Sequence, residues 1–408
     1  MRRSRDATVK RLLQEVRIPD ELGAQQRAWP VARSAFAGRL SVPRRRSRLR
    51  FAPVPAVLLL VAGVLELTPA GAAVHRWIEK TLTPTRTVSM NAMSLPAPGS
   101  VLVSGAAGAW IVSGRGERNR LGPWTSASWS PHGLYAVVTS AEELAAVDRR
   151  GKVDWRVRVA SPRDASWSPP SGYRISYLSG SALWVITGNA GPKDGFGPNK
   201  WRVAGDAAPV APVWRPDPAW RPGRPLRGEL VYVSSNGSVV AVNGDSGQRR
   251  WHTRVPGSPM LLSFAGDGSR LLALTRHAAS VLDGGGRRVA TIAQAGRDPF
   301  IAGALSPDGK TLALLSYRTV TFVDLGSTPR TQAVFTARGG GLRQIVWSPD
   351  GRWLLATWPT ADQWVLIRAT GQPSDEIISH VSEQFRGAGR RFFPRIDGWC
   401  CTAIGGTT

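Results

Sequence analysis

Trp347-Ser348-Pro349-Asp350-Gly351 decides how this chain is read, because the phrase recurs. It stands again as Trp129-Ser130-Pro131-His132-Gly133 and as Trp167-Ser168-Pro169 followed by Gly172. Weaker copies are Trp214-Arg215-Pro216-Asp217, Phe264-Ala265-Gly266-Asp267-Gly268 and Leu305-Ser306-Pro307-Asp308-Gly309. Successive anchors lie 38, 47, 50, 41 and 42 residues apart. Self-similarity at roughly 40–50 residues is the mark of a repeat array. An all-β unit of that length holds about four short strands, one blade of a β-propeller.

Each copy obeys one grammar. A strand runs into the anchor aromatic, and a Pro-Asp-Gly turn reverses the chain, proline presetting φ and glycine taking the positive-φ position. Two apolar runs follow, as in Leu134-Tyr135-Ala136-Val137-Val138, Leu183-Trp184-Val185-Ile186 and Val320-Thr321-Phe322-Val323. Near-continuous apolar runs suit strands covered on both faces by neighbouring blades. A Gly/Asp/Ser turn and a more polar strand close the unit, as in Gly247-Gln248-Arg249-Arg250-Trp251.

Six anchors are counted, and the chain ends supply a seventh unit. Ser100-Val101-Leu102-Val103 and Ala109-Trp110-Ile111-Val112 have the middle runs without an anchor, and Phe393-Pro394-Arg395-Ile396-Asp397-Gly398-Trp399-Cys400 is the missing strand. Pairing them closes the ring and removes its open edges. The prediction is therefore all-β: a seven-bladed β-propeller over residues 98–401. Six blades follow instead if the segment around residues 193–217 is an insertion within one blade.

The Ser-Pro-Asp-Gly hairpins resemble those of TolB-like and WD40-like propellers, although the Gly-His and Trp-Asp dipeptides of true WD40 repeats are absent. The unit from Leu230-Val231-Tyr232-Val233-Ser234 to Trp251 looks more like a quinoprotein-type repeat. The whole layout resembles membrane-anchored propeller proteins of bacteria. The resemblance is specific for fold and carries no particular substrate.

The first 50 residues hold 14 Lys/Arg against 4 Asp/Glu, a net of +10 out of +25 for all 408 residues. We expect a basic, helical cytoplasmic segment over 1–50. Residues 51–65 contain no charge, and the apolar stretch counted through Glu66 to residue 74 is 24 long. A helix needs about 20 residues to span the hydrocarbon core, and the preceding arginine block keeps its side in the cytoplasm. We expect a single-pass transmembrane signal anchor at 51–74, a linker at 75–97, an extracytoplasmic propeller and a disordered tail at 402–408. The competing readings are a signal peptide cleaved near Ala70-Gly71-Ala72 and a buried helix.

There is no Gly-x-Ser-x-Gly, no phosphate-binding loop and no dinucleotide fingerprint. The aspartates mostly occupy turns: Asp148, Asp245, Asp267, Asp283, Asp308, Asp324 and Asp350. The five histidines show no ligand spacing, and the two cysteines, Cys400 and Cys401, read as reduced thiols in a buried strand. Quinoprotein dehydrogenases carry adjacent cysteines, which is the resemblance behind a quinone-dependent alternative. No catalytic residue, metal or cofactor is expected.

Of 17 tryptophans, Trp129, Trp167, Trp214 and Trp347 share one repeat position and read as blade-to-blade packing. Trp220 lies in the Pro/Arg-rich insertion Asp217-Pro218-Ala219-Trp220-Arg221-Pro222-Gly223-Arg224-Pro225, with Phe196 and Trp201 in the loop before it. Insertions map to one face of a repeat array, and aromatic-plus-Arg loops make interface hot spots. The candidate binding residues are Trp201, Arg215, Trp220, Arg221 and Arg224. The function expected is a non-enzymatic, membrane-anchored, monomeric scaffold for a protein or cell-envelope polymer, with nucleic acid not expected. The alternatives are a glycan-cleaving or quinone-dependent propeller enzyme, or a membrane-coupled regulator acting through residues 1–50.

Overall fold

The computed structural model describes residues 86–87, 93–170, 173–188, 199–218, 228–294, 298–370, 374–387 and 390–401. The expected cytoplasmic segment, the anchor at 51–74 and the tail at 402–408 lie outside the described residues. Among the described residues no helix is long and apolar enough to cross a membrane.

Seven antiparallel blades follow one another along the chain. Blade 2 is typical: Ser126–Trp129, Tyr135–Thr139, Glu143–Asp148 and Val153–Arg158, hydrogen-bonded in that order. Blade 3 begins at Arg163–Trp167 and ends at Lys200–Ala204; blade 4 runs from Val213–Trp214 through Glu229–Val233 and Val239–Asn243 to Arg249–Thr253. Blades 5, 6 and 7 open with Leu261–Phe264, Phe300–Leu305 and Ile345–Trp347. Blade 1 is assembled from both ends of the propeller: Arg395–Cys400 pairs antiparallel with Ser100–Gly105, which continues to Gly108–Ser113 and Arg118–Gly122. Val101 sits opposite Trp399, and Val103 opposite Ile396, so the predicted closing strand is in place. The first strand of every blade touches the first strand of the next, completing the circle. The count is seven, not six.

The grammar of the recurring phrase is local hydrogen bonding. In blades 2, 6 and 7 the serine N–H and the carbonyl five residues on bond to each other, as in Ser348 to Trp353 at 2.8 Å. The serine Oγ accepts the N–H of that same residue, 2.9 Å in blade 7. Asp350 Oδ1 accepts from Ser348 Oγ at 2.6 Å and from the Arg352 N–H at 3.1 Å. Gly133, Gly268, Gly309 and Gly351 close their turns at φ +64° to +69°, where a Cβ is strained. The Ser306 hydroxyl lowers the pKa of Asp308, and the Arg287 N–H lowers that of Asp283. These aspartates are spent on turns.

Side chains of each middle strand alternate between two seams. Val101 and Val103 pack towards blade 7, while Leu102 between them packs towards blade 2. Each of the seven seams thus holds its own apolar cluster. Burying one such Val or Leu contributes about 1.5–3 kcal/mol, so the seams, rather than a central core, stabilise the ring.

Two expectations are amended. Part of the linker joins the propeller: Arg86–Thr87 pairs in parallel with Glu376 and Ile377 at the outer edge of blade 7, and Met93, Leu95 and Ala97 are buried in the seam of blades 7 and 1. The cysteines are not free thiols: Cys400 and Cys401 are joined to each other. Cys401 follows the strand in the left-handed region, at φ +68°.

Candidate interaction surface

In an antiparallel blade, the connections between strands one and two and between strands three and four emerge on the same face of the ring. That face carries the Pro-Asp-Gly turns and is called the hairpin face below. Most such connections are tight; in blade 2 the chain passes from Trp129 to Tyr135. Two are long and lie in adjacent blades. In blade 3 the chain leaves its third strand at Thr187 and returns at Lys200; in blade 4 it leaves at Trp214 and returns at Glu229. Trp220, Arg221 and Arg224 belong to the second connection and lie outside the described residues. Trp201 and Arg215 stand where the described chain borders the two connections.

Trp201 lies on a strand rather than in a loop. It repeats the outer-strand position of Trp155 and Trp251, which oppose Ala146 and Ala241 as Trp201 opposes Val185. The Trp155 indole N–H donates across the seam to Gly188 O at 3.0 Å, and Trp201 does the same to Gly244 O at 2.8 Å. The Arg174 guanidinium stacks 5.5 Å over the Trp201 ring and pairs with Asp245 beside Gly244. This second tryptophan series was legible: positions 155, 201 and 251 lie 46 and 50 residues apart, within the 38–50 range of the anchors. Trp251 packs against Gly286, where an added Cβ would come within 2.4 Å of the ring, but its N–H finds no acceptor.

Arg215 is a seam residue as well. It follows the anchor Trp214, whose indole N–H donates back to Ser166 O of blade 3 at 3.1 Å. Arg215 reaches forward into blade 5, donating to Gly268 O and Gly284 O, both at 2.9 Å. Its other partner is Glu229, a carboxylate 6% exposed that also receives Arg250. Arg270 repeats the device one seam on, donating to Gly309 O at 2.9 Å and Leu325 O at 3.1 Å of blade 6. Arg149 donates to Gly133 O and Ser100 Oγ and stacks on Trp129. The structure therefore assigns Trp201 and Arg215 to rigid support at the rim of the insertions.

Among the described residues no three His, Cys, Asp or Glu side chains gather as a metal ion would require. The strongest perturbation of a carboxyl lies in the closing strand. Burial pushes Asp397 up to about 6 against the opposing pull of Arg395, and its Oδ2 has no hydrogen-bond partner.

No family model and no curated protein matches the chain. Solved structures do resemble it. The β-propeller domain of Cps50 (Swd1) from Myceliophteria thermophila superposes with a TM-score of 0.54 at 14% identity, covering 69% of this chain and 98% of that one. Hsv2 from Kluyveromyces lactis gives 0.52 at 14% identity, over 70% and 96%. At such identities the likeness is one of fold: the described chain is a seven-bladed, WD40-like β-propeller.

Proposed function

We propose that this protein is a non-enzymatic binding scaffold of the TolB-like, membrane-anchored bacterial kind. In this reading residues 51–74 hold it in the cell membrane as a single-pass anchor, residues 1–50 face the cytoplasm, and the propeller stands outside as a monomer. Its partner is a protein or a cell-envelope polymer taken up on the hairpin face of blades 3 and 4. One observation carries the reading: the two long connections leave the same face of adjacent blades, each bordered by a side chain locked into a seam. A rigid ring presenting variable loops is how repeat folds build binding surfaces.

The test is cross-linking in intact cells, with a photoreactive residue at position 220 and a control at position 276, in the turn between the second and third strands of blade 5. The reading expects a discrete protein or polymer adduct at 220 and none at 276. Equal adducts at both positions, or none at 220, overturn it. Protease added to intact cells checks the topology: the propeller is digested if it stands outside, and survives if it does not.

A further inference from the structure

A cavity of about 390 Å³ opens along the outer part of the seam between blades 3 and 4. Its floor is Val240 and Val242 of blade 4, and its far wall the outer strand of blade 3 at Val203 and Ala204. Three cationic or ionisable side chains, Arg249, His252 and Arg254, line it from the outer strand of blade 4 and its end. All three are exposed, and none makes a hydrogen bond or ion pair among the described residues. That sets them apart from Arg215 and Arg270, whose guanidinium groups are consumed by backbone carbonyls of the next blade.

The rest of the lining is built for hydroxyl groups. Tyr232, 6% exposed, donates its O–H to Asp206 Oδ1 at 3.1 Å. Burial, aided by the Asp206 charge, pushes the phenol up to about 12, so it stays a donor at neutral pH. Asn236 Oδ1 accepts from Ser234 Oγ at 2.7 Å and from the Ser238 N–H at 3.0 Å, which orients its amide.

Size and spread decide the ligand class. A strand advances about 3.3 Å per residue, so the basic groups from Arg249 to Arg254 extend over more than 10 Å. A single inorganic anion would leave part of this row unused. A cavity of this volume falls in the range that holds small organic ligands.

We propose that this groove binds an acidic sugar, with its anionic group on the Arg249, His252 and Arg254 row and its ring hydroxyls on Asp206, Tyr232 and Asn236. The site is independent of the hairpin-face partner and can succeed or fail without it. A carboxylate and a phosphate ester present the same chemistry to guanidinium groups, so both sources are to be probed.

The full chain is titrated calorimetrically with glucuronate, glucose 6-phosphate, glucose and inorganic phosphate. We expect binding of glucuronate or glucose 6-phosphate, the tighter one naming the source, and at least about tenfold weaker binding of glucose and of inorganic phosphate. Arg249→Ala and Arg254→Ala each weaken the bound sugar about tenfold, and their unchanged melting temperatures exclude unfolding. Tyr232→Phe, which keeps the wall and removes the O–H, weakens it less. The proposal is overturned if neither acidic sugar binds, if glucose or inorganic phosphate binds as tightly, or if both arginine variants bind like the parent.

Discussion

Blade 4 meets its neighbours in two contrasting ways. Towards blade 5, Arg215 is sunk in the seam and every direction it points is occupied: Gly268 O, Gly284 O and the buried Glu229. Towards blade 3, the hairpin end is shut by Trp201 on Gly244 and Arg174 on Asp245, but beyond it the seam widens into a cavity edged by unpaired basic side chains. The strands of blade 4 are the same in both cases. What differs is where the polar groups find partners, inside the fold or in whatever enters the groove. A seam residue that satisfies backbone carbonyls belongs to stability; one left facing a cavity is available for recognition.

That contrast can be broken by substitution, and the largest effect falls on the closed seam. Arg215→Ala strands two carbonyls and leaves Glu229 with Arg250 alone. Removing one member of a buried ion pair costs about 3 kcal/mol, read as a lowered denaturant midpoint. A loss below about 1 kcal/mol would place Arg215 with ordinary surface charges.

The ring-closing seam gives the next effect, with opposite sign. Asp397 has its folded pKa raised from 3.8 to about 6 by burial. Below about pH 3 it is protonated in both states and destabilises nothing. As pH rises through 4 to 6 the unfolded chain ionises first, and folding stability falls; above about 6 the loss is complete. Asp397→Asn is therefore expected to stabilise the protein by about 2–3 kcal/mol at pH 7, and the gain should vanish by about pH 3. Denaturation of both proteins across that range checks it.

Smaller effects sharpen the comparison at one repeat position. Trp201→Phe gives up the hydrogen bond to Gly244 O and is expected to lose about 1 kcal/mol. Trp251→Phe removes the same ring atoms but an N–H that has no partner, and should therefore cost about 1 kcal/mol less than Trp201→Phe. At the open groove, Arg249→Ala and Arg254→Ala should change stability by no more than about 0.5 kcal/mol, whatever they do to binding.

These differences also mark what was legible in the sequence. The Trp-Ser-Pro-Asp-Gly phrase announces its own structure because all its bonds are local: the serine reaches five residues on and the aspartate two. Ring closure was legible because Ser100-Val101-Leu102-Val103 lacked a first strand and Trp399 supplied one. The site was less legible. Trp201 looked like a loop residue because it follows the long interruption of blade 3, yet its spacing from Trp155 and Trp251 marks it as an outer-strand residue. Arg215 looked like an insertion residue because its acceptors, Gly268 O and Gly284 O, lie 53 and 69 residues away. The row of Arg249, His252 and Arg254 read only as a polar last strand. Nothing local records that a cavity opens beside it between blades 3 and 4.

Hydrogen–deuterium exchange of the intact chain and of one ending at Pro394 tests head-to-tail closure most directly. The amides of residues 100–105 should be as protected in the intact chain as those of the second strand of blade 7, residues 353–358. In the shortened chain protection should fall first and furthest at 100–105. Equal protection of residues 100–105 in both proteins would contradict a ring held shut by its two ends.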